Sequence, residues 1–135
     1  MALTAPRNTP AKKADQLGVP MATGVKIYAG SIVAANASGY ATPGATAATL
    51  TALGRAAETV DNTAGANGAK TVLIDRKEAF KFANYASDAV TQAELGKTCY
   101  IVDDFTVAKT SNSNARSAAG KVLGVESDGV WVEFQ

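Results

Sequence analysis

The last eighteen residues, Ala118 to Gln135, constrain the fold more than any other stretch. They read AAGKVLGVESDGVWVEFQ, and two runs of β-branched and aromatic residues, Val122 to Val125 and Val130 to Phe134, flank Ser127-Asp128-Gly129. Asp-Gly between apolar runs is a strong hairpin signal, because both residues tolerate the left-handed backbone that a tight turn requires. The chain therefore closes on a strand. Alternation puts Val130, Val132 and Phe134 on one face of that strand and Trp131 and Glu133 on the other. Trp131, the only tryptophan, then needs a second surface, supplied either by the rest of the chain or by a neighbouring subunit.

Further upstream the pattern repeats in shorter units. From Gly24 to Ala34 apolar residues alternate around Gly30-Ser31, where an interior glycine marks a bulge or corner. Asn36 to Gly39 is a turn and Tyr40 to Thr42 a short return strand. Leu50 to Val60 is read as strand despite its alanines, because the turn cluster Asp61 to Ala69 follows it directly. Lys70 to Phe82 reads as one long strand, with Arg76 and Glu78 breaking its apolar face. Ser87 to Gly96 carries the one helix signal: Thr91-Gln92-Ala93-Glu94 is a capping box and Gly96 suits a C-terminal left-handed position. Thr98 to Thr110 predicts two strands joined around Asp103-Asp104, and Ser111 to Ser117 a polar loop. Short strands with glycine-rich turns predict a mainly β fold, a small β-barrel or β-sandwich with one short helix and an extended N-terminal arm.

The arm is expected over residues 1–23, with a single β-rich domain over 24–135. Pro6, Pro10 and Pro20 fix φ, remove donors and push the preceding residues towards extended geometry. By side-chain count the first twenty residues carry three positive charges and one negative, and the remainder ten and eleven. Such a segment is either a disordered terminus or an arm that orders on a partner, with Leu3, Leu17 and Val19 as apolar anchors and its bases against an acidic surface.

Composition narrows function mainly through what is missing. With no histidine in 135 residues, a Ser-His-Asp triad and Cys/His zinc sites are excluded by count. A net charge of +1 supplies no general field for nucleic acid or an anionic membrane, and no apolar run approaches the roughly 18 residues of a membrane span. The first twenty residues lack the apolar region of a secretory signal, and a single cysteine, Cys99, cannot form an internal disulfide; both point to assembly in a reducing cytoplasm. Cys99 reads as a small buried hydrophobe, with no base to activate it. Asp103-Asp104 reads as turn chemistry, since neighbours on a strand face opposite ways. Asp61-Asn62-Thr63 with Asn67 offers oxygen ligands but no EF-hand spacing. Lys77 differs from the modified lysine of lipoyl and biotinyl carriers, which sits at an exposed hairpin turn, in lying within a strand-like run. No metal, no cofactor and no enzymatic activity are expected.

The order of these features resembles the capsid cement, or head decoration, proteins of tailed bacteriophages. The likeness covers nearly the whole chain. It is carried by Gly24 with Ile27 to Val33, by Leu95-Gly96 followed by Tyr100-Ile101-Val102-Asp103-Asp104 and Thr106-Val107, and by Gly120 to Val125 with Asp128-Gly129-Val130. The resemblance implies a structural virion protein that binds the outer capsid surface as homotrimers at threefold and quasi-threefold sites and stabilises the lattice of the major capsid protein. It implies no direct contact with nucleic acid or membrane. On that reading Leu3, Arg7, Lys12, Lys13, Leu17 and Val19 form the capsid-binding arm, and Trp131, Tyr28 and Tyr100 a subunit interface. The alternative is a β-rich glycan- or receptor-binding module, which exposed aromatics over one shallow groove would favour.

Overall fold

The computed structural model describes residues Met1–Gln135. Twelve strands follow one another: β1 (Gln16–Pro20), β2 (Lys26–Ile27), β3 (Ile32–Ala35), β4 (Ala41–Pro43), β5 (Thr51–Ala56), β6 (Val60–Asp61), β7 (Thr71–Asp75), β8 (Ala79–Asn84), β9 (Thr98–Ile101), β10 (Thr106–Ala108), β11 (Ala118–Glu126) and β12 (Gly129–Glu133). The fold is mainly β. Five strands close a barrel in the order β10-β8-β12-β11-β9, five more form a sheet in the order β1-β7-β5-β3-β4, and β2 pairs with β6 in a small ribbon.

The closing hairpin forms as its sequence dictates. Val122 pairs with Val132 and Val125 with Val130 across β11 and β12, and the ladder shifts by one residue between Val122 and Gly124. Val130, Val132 and Phe134 are buried inside the barrel with Phe80, Phe82, Ile101, Val107 and Val122. Phe134 meets Phe82 edge-on at 5.9 Å, a favoured arrangement for the ring quadrupoles. A barrel of this kind leaves no free strand edge, so every strand contributes to one interior.

The sheet has a second core of Val19, Met21, Ile27, Val33, Ala41, Ala56, Val72 and Ile74. Strand β3 links the two cores. Its side chains alternate, so Ile32 and Ala34 enter the barrel core while Val33 enters the sheet core. Burial on both faces explains why Ile32-Val33-Ala34 is a continuous apolar run rather than an alternating one. At β5, Gly54 has φ +156 and an added Cβ would meet the Asp75 carbonyl oxygen, so the close approach of β5 to β7 requires glycine here.

Three expectations change. The arm does not extend to residue 23: Gln16–Pro20 is strand β1, paired antiparallel with β7, and Val19, Met21 and Ala22 are buried. The cause is a period-2 row, Leu17, Val19 and Met21, which outweighs the prolines; Pro20 is tolerated because β1 is an edge strand. The exposed, unpaired segment is residues 1–13. Second, the short helix is two single 3₁₀ turns, Ala86–Asp88 and Gln92–Glu94. The capping box forms, with the Thr91 backbone N–H donating to Glu94 Oε2 at 2.6 Å, but extended Leu95 and left-handed Gly96 at φ +79 stop the turn at once. Third, Lys70 to Phe82 is not one strand. Lys77, at φ +58, sits in an exposed turn where the chain leaves the sheet as β7 and enters the barrel as β8. Those strands belong to different sheets, so this turn is not the hairpin of a lysine carrier.

Candidate interaction surfaces

The arm begins from a fixed root. The Arg76 backbone N–H donates to the Asp15 carbonyl at 2.7 Å, and Gln16 Nε2 donates to Asp75 Oδ1 at 3.0 Å. Asp75 also accepts from Arg55 at 3.0 Å, and these bonds, Arg55 first, hold its carboxyl below the usual range. Arg55 in turn stacks on Phe80 at 4.0 Å, so the root is tied to the barrel core. Beyond Lys13 nothing holds the chain. Leu3 is 73% exposed, Lys12 and Lys13 are exposed, and Arg7 bonds only Thr9 within the arm itself, at 3.1 Å. Leu17 is half-buried against the sheet core and Val19 belongs to it, so neither is a free anchor. Along Gln16–Pro20, strand β1 has no neighbour on its outer side.

Trp131 is held in place. Its indole N–H donates to Glu126 Oε1 at 2.8 Å, and Lys81, opposite it on β8, places its ammonium 5.8 Å from the ring centroid. Lys81 is itself fixed by Asp128 at 2.9 Å, which raises the lysine pKa and lowers that of the aspartate. Gly124 faces Trp131 across β11 and β12, where an added Cβ would make only ordinary contact with the indole. An aromatic side chain fixed in this way loses little rotamer entropy when a partner covers it.

Tyr28 and Phe105 flank a shallow cleft of about 250 Å3 that Gly30, Ser31 and Asp104 also line. Both rings are more than half exposed, at 56% and 59%. Tyr28 is presented by the turn between β2 and β3, where Ser31 Oγ donates to the Tyr28 carbonyl at 2.8 Å, and Lys26 Nζ lies 4.8 Å from its ring. Phe105 is presented by the turn between β9 and β10. Asp103 Oδ1 accepts the Phe105 backbone N–H at 2.9 Å and the Asp104 carbonyl accepts from Ile32 at 2.7 Å, so the paired acids do serve the turn. The Phe105 carbonyl also accepts the Ala83 N–H at 2.8 Å, two residues along β8 from Lys81. Strand β8 thus carries Trp131 on its β12 side and Phe105 on its β10 side. Tyr100 stands apart, half-buried on β9, which does not adjoin β12.

Of the residues expected at an interface, Tyr28 is exposed on the turn after β2 and Trp131 on β12 beside β8, while Tyr100 is half-buried on β9. Phe105 was not expected. The signal was a large aromatic following two acids inside a turn, a position where turn chemistry has no use for an aromatic ring. A second set of unforeseen residues fixes the loop after β10: Asp88 accepts from Thr110 Oγ1 at 2.6 Å and from Arg116 at 2.9 Å, and Arg116 lies over Tyr85. The Thr110 bonds, then Arg116, hold the Asp88 carboxyl below its ordinary range. Cys99 is 1% exposed and burial pushes its thiol up to about 11, which leaves it protonated and unreactive at neutral pH. Asp61 accepts twice from Thr63, closing its own turn, while buried Asn62 donates to the Ala22 and Ala66 carbonyls.

No family model, curated protein or solved structure matches the chain.

Proposed function

We propose that this chain is a structural virion protein of the capsid cement class, acting as a homotrimer on the outer surface of a phage head. Its partner is the major capsid protein, and its action is to bridge neighbouring capsid subunits after assembly in the host cytoplasm. The observation that carries the reading is a basic, proline-bearing segment, residues 1–13, exposed along its length and anchored to a rigid β body at Asp15-Gln16. A fixed root with a free arm suits a clamp. Ordering an arm costs roughly 1–2 kcal/mol per residue, so one arm alone binds weakly. Three arms on one rigid trimer raise avidity by about 10² to 10⁴ over a single contact. Leu3, Arg7, Lys12 and Lys13 are the arm residues available for the shell. Co-sedimentation of the purified chain with undecorated heads tests this. The expected result is saturable binding that residues 14–135 alone do not reproduce.

A second reading, a glycan- or receptor-binding module, is favoured by one observation: the exposed rings of Tyr28 and Phe105 over a common cleft. It predicts that a soluble oligosaccharide protects the two rings and that Phe105→Ala abolishes the effect.

A further inference from the structure

We propose that the cleft between Tyr28 and Phe105 receives the Pro6–Pro10 stretch of a second copy's arm, so that the copies are strapped together head to tail. The cleft has the chemistry of an extended-peptide receptor. Two exposed rings flank it, and grooves lined by aromatics bind proline-bearing segments because those segments are already extended and lose little freedom on docking. Nothing lies within 4 Å of where a Cβ would stand on Gly30, which leaves one wall open. At about 250 Å3 the cleft is smaller than the roughly 300–1,000 Å3 typical of small-molecule sites, and matches a few side chains of a passing chain.

Charge selects the occupant. Asp104 lines the cleft, its backbone is held by Ile32, and its carboxylate has no hydrogen-bond partner. Asp103 stands beside it. The complementary segment on the same chain is Pro6-Arg7-Asn8-Thr9-Pro10, in which Arg7 can pair with the free carboxylate and lie across the Phe105 ring, the Tyr28 ring already having Lys26 Nζ 4.8 Å from its centroid. In the single chain residues 1–13 are all exposed, so a chain's own arm leaves its cleft uncovered. A head-to-tail contact closes into a ring when its rotation permits, which is how a threefold assembly arises from one repeated contact. Arg7 then serves the contact between copies instead of the shell, while Leu3 at the tip and Lys12-Lys13 near the root remain outside the cleft and available to the shell.

This inference rests on the proposed function for threefold assembly alone, and its test contains no heads. Light scattering of the full chain over a range of concentrations is expected to give three times the single-chain mass. The double variant Tyr28→Ala/Phe105→Ala is expected to weaken self-association at least about tenfold, with its β-type circular dichroism unchanged. Asp104→Arg is expected to do the same, and Arg7→Asp combined with it in one chain to restore assembly. A wild-type chain of single-chain mass would overturn the inference, as would a trimer indifferent to the double variant or a charge swap that restores nothing. Oligosaccharide binding in the cleft of a monomeric chain would also overturn it. A trimer insensitive to these changes that still binds heads would leave the cement reading standing.

Discussion

At the scale of single residues, two positions carry more than their neighbours. Gly54 stands where β5 crosses close to the Asp75 carbonyl, so a methyl group there forces the strands apart as well as straining the backbone. Gly54→Ala is expected to lower stability by more than about 2 kcal/mol in urea unfolding, whereas Gly39→Ala, with open space around it, costs only its backbone strain. Asp88 carries the loop after β10 through Thr110 and Arg116. Its pKa is lower folded than unfolded, so the unfolded state binds more protons and stability rises with pH through that window. The contribution is full above the unfolded value of about 3.9 and is lost as pH falls through the depressed folded value. Asp75 and Asp128 share that sign. Acid titration of unfolding free energy is therefore expected to show a downward limb below about pH 4, shallower in Asp88→Asn than in the wild type.

At the scale of elements, β3 is the joint. Because Ile32 and Ala34 serve the barrel while Val33 serves the sheet, loosening this strand weakens both cores together. Ile32→Ala is expected to cost about 2–5 kcal/mol while unfolding stays a single transition, followed by tryptophan fluorescence and far-ultraviolet circular dichroism. Two non-coincident transitions would show that the cores are independent. Elements with strong local chemistry were legible before the structure. Asp128-Gly129 and the valine alternation specified the closing hairpin, and Asn36 to Gly39 the turn between β3 and β4; the charges at Arg76 and Glu78 interrupt the apolar face, but the stretch still reads as one strand in the sequence. Elements decided by distant partners were not. Strand β1 exists because β7 offers it an edge, and prolines obscured the short row Leu17, Val19, Met21. The capping box at Thr91 was read correctly as a cap but has only one turn to cap. Trp131, Tyr28 and Tyr100 were singled out as interface aromatics, of which Tyr100 is half-buried on β9, whereas Phe105 joins Tyr28 only because Ala83 and Ile32 bring the β9–β10 turn against the start of β3.

At the scale of the whole molecule, a rigid two-core body carries a free basic arm. Within one chain residues 1–13 bond nothing beyond themselves, so at concentrations low enough to keep the chain a monomer their removal is expected to leave the thermal midpoint of residues 14–135 within about 2 °C of the full chain. On the proposed function their contribution lies in binding. Electrostatic contact of Lys12 and Lys13 with the shell would also make attachment sensitive to ionic strength, because exposed charges are screened within about 8–10 Å at physiological salt. Adding salt is accordingly expected to weaken attachment of the full chain more than that of a variant with both lysines changed to glutamine, read by co-sedimentation. The most direct measurement compares the affinity of the full chain and of residues 14–135 for undecorated heads at one salt concentration. A loss of at least about a hundredfold on removing the arm is the predicted result, and equal occupancy by the two proteins would contradict it.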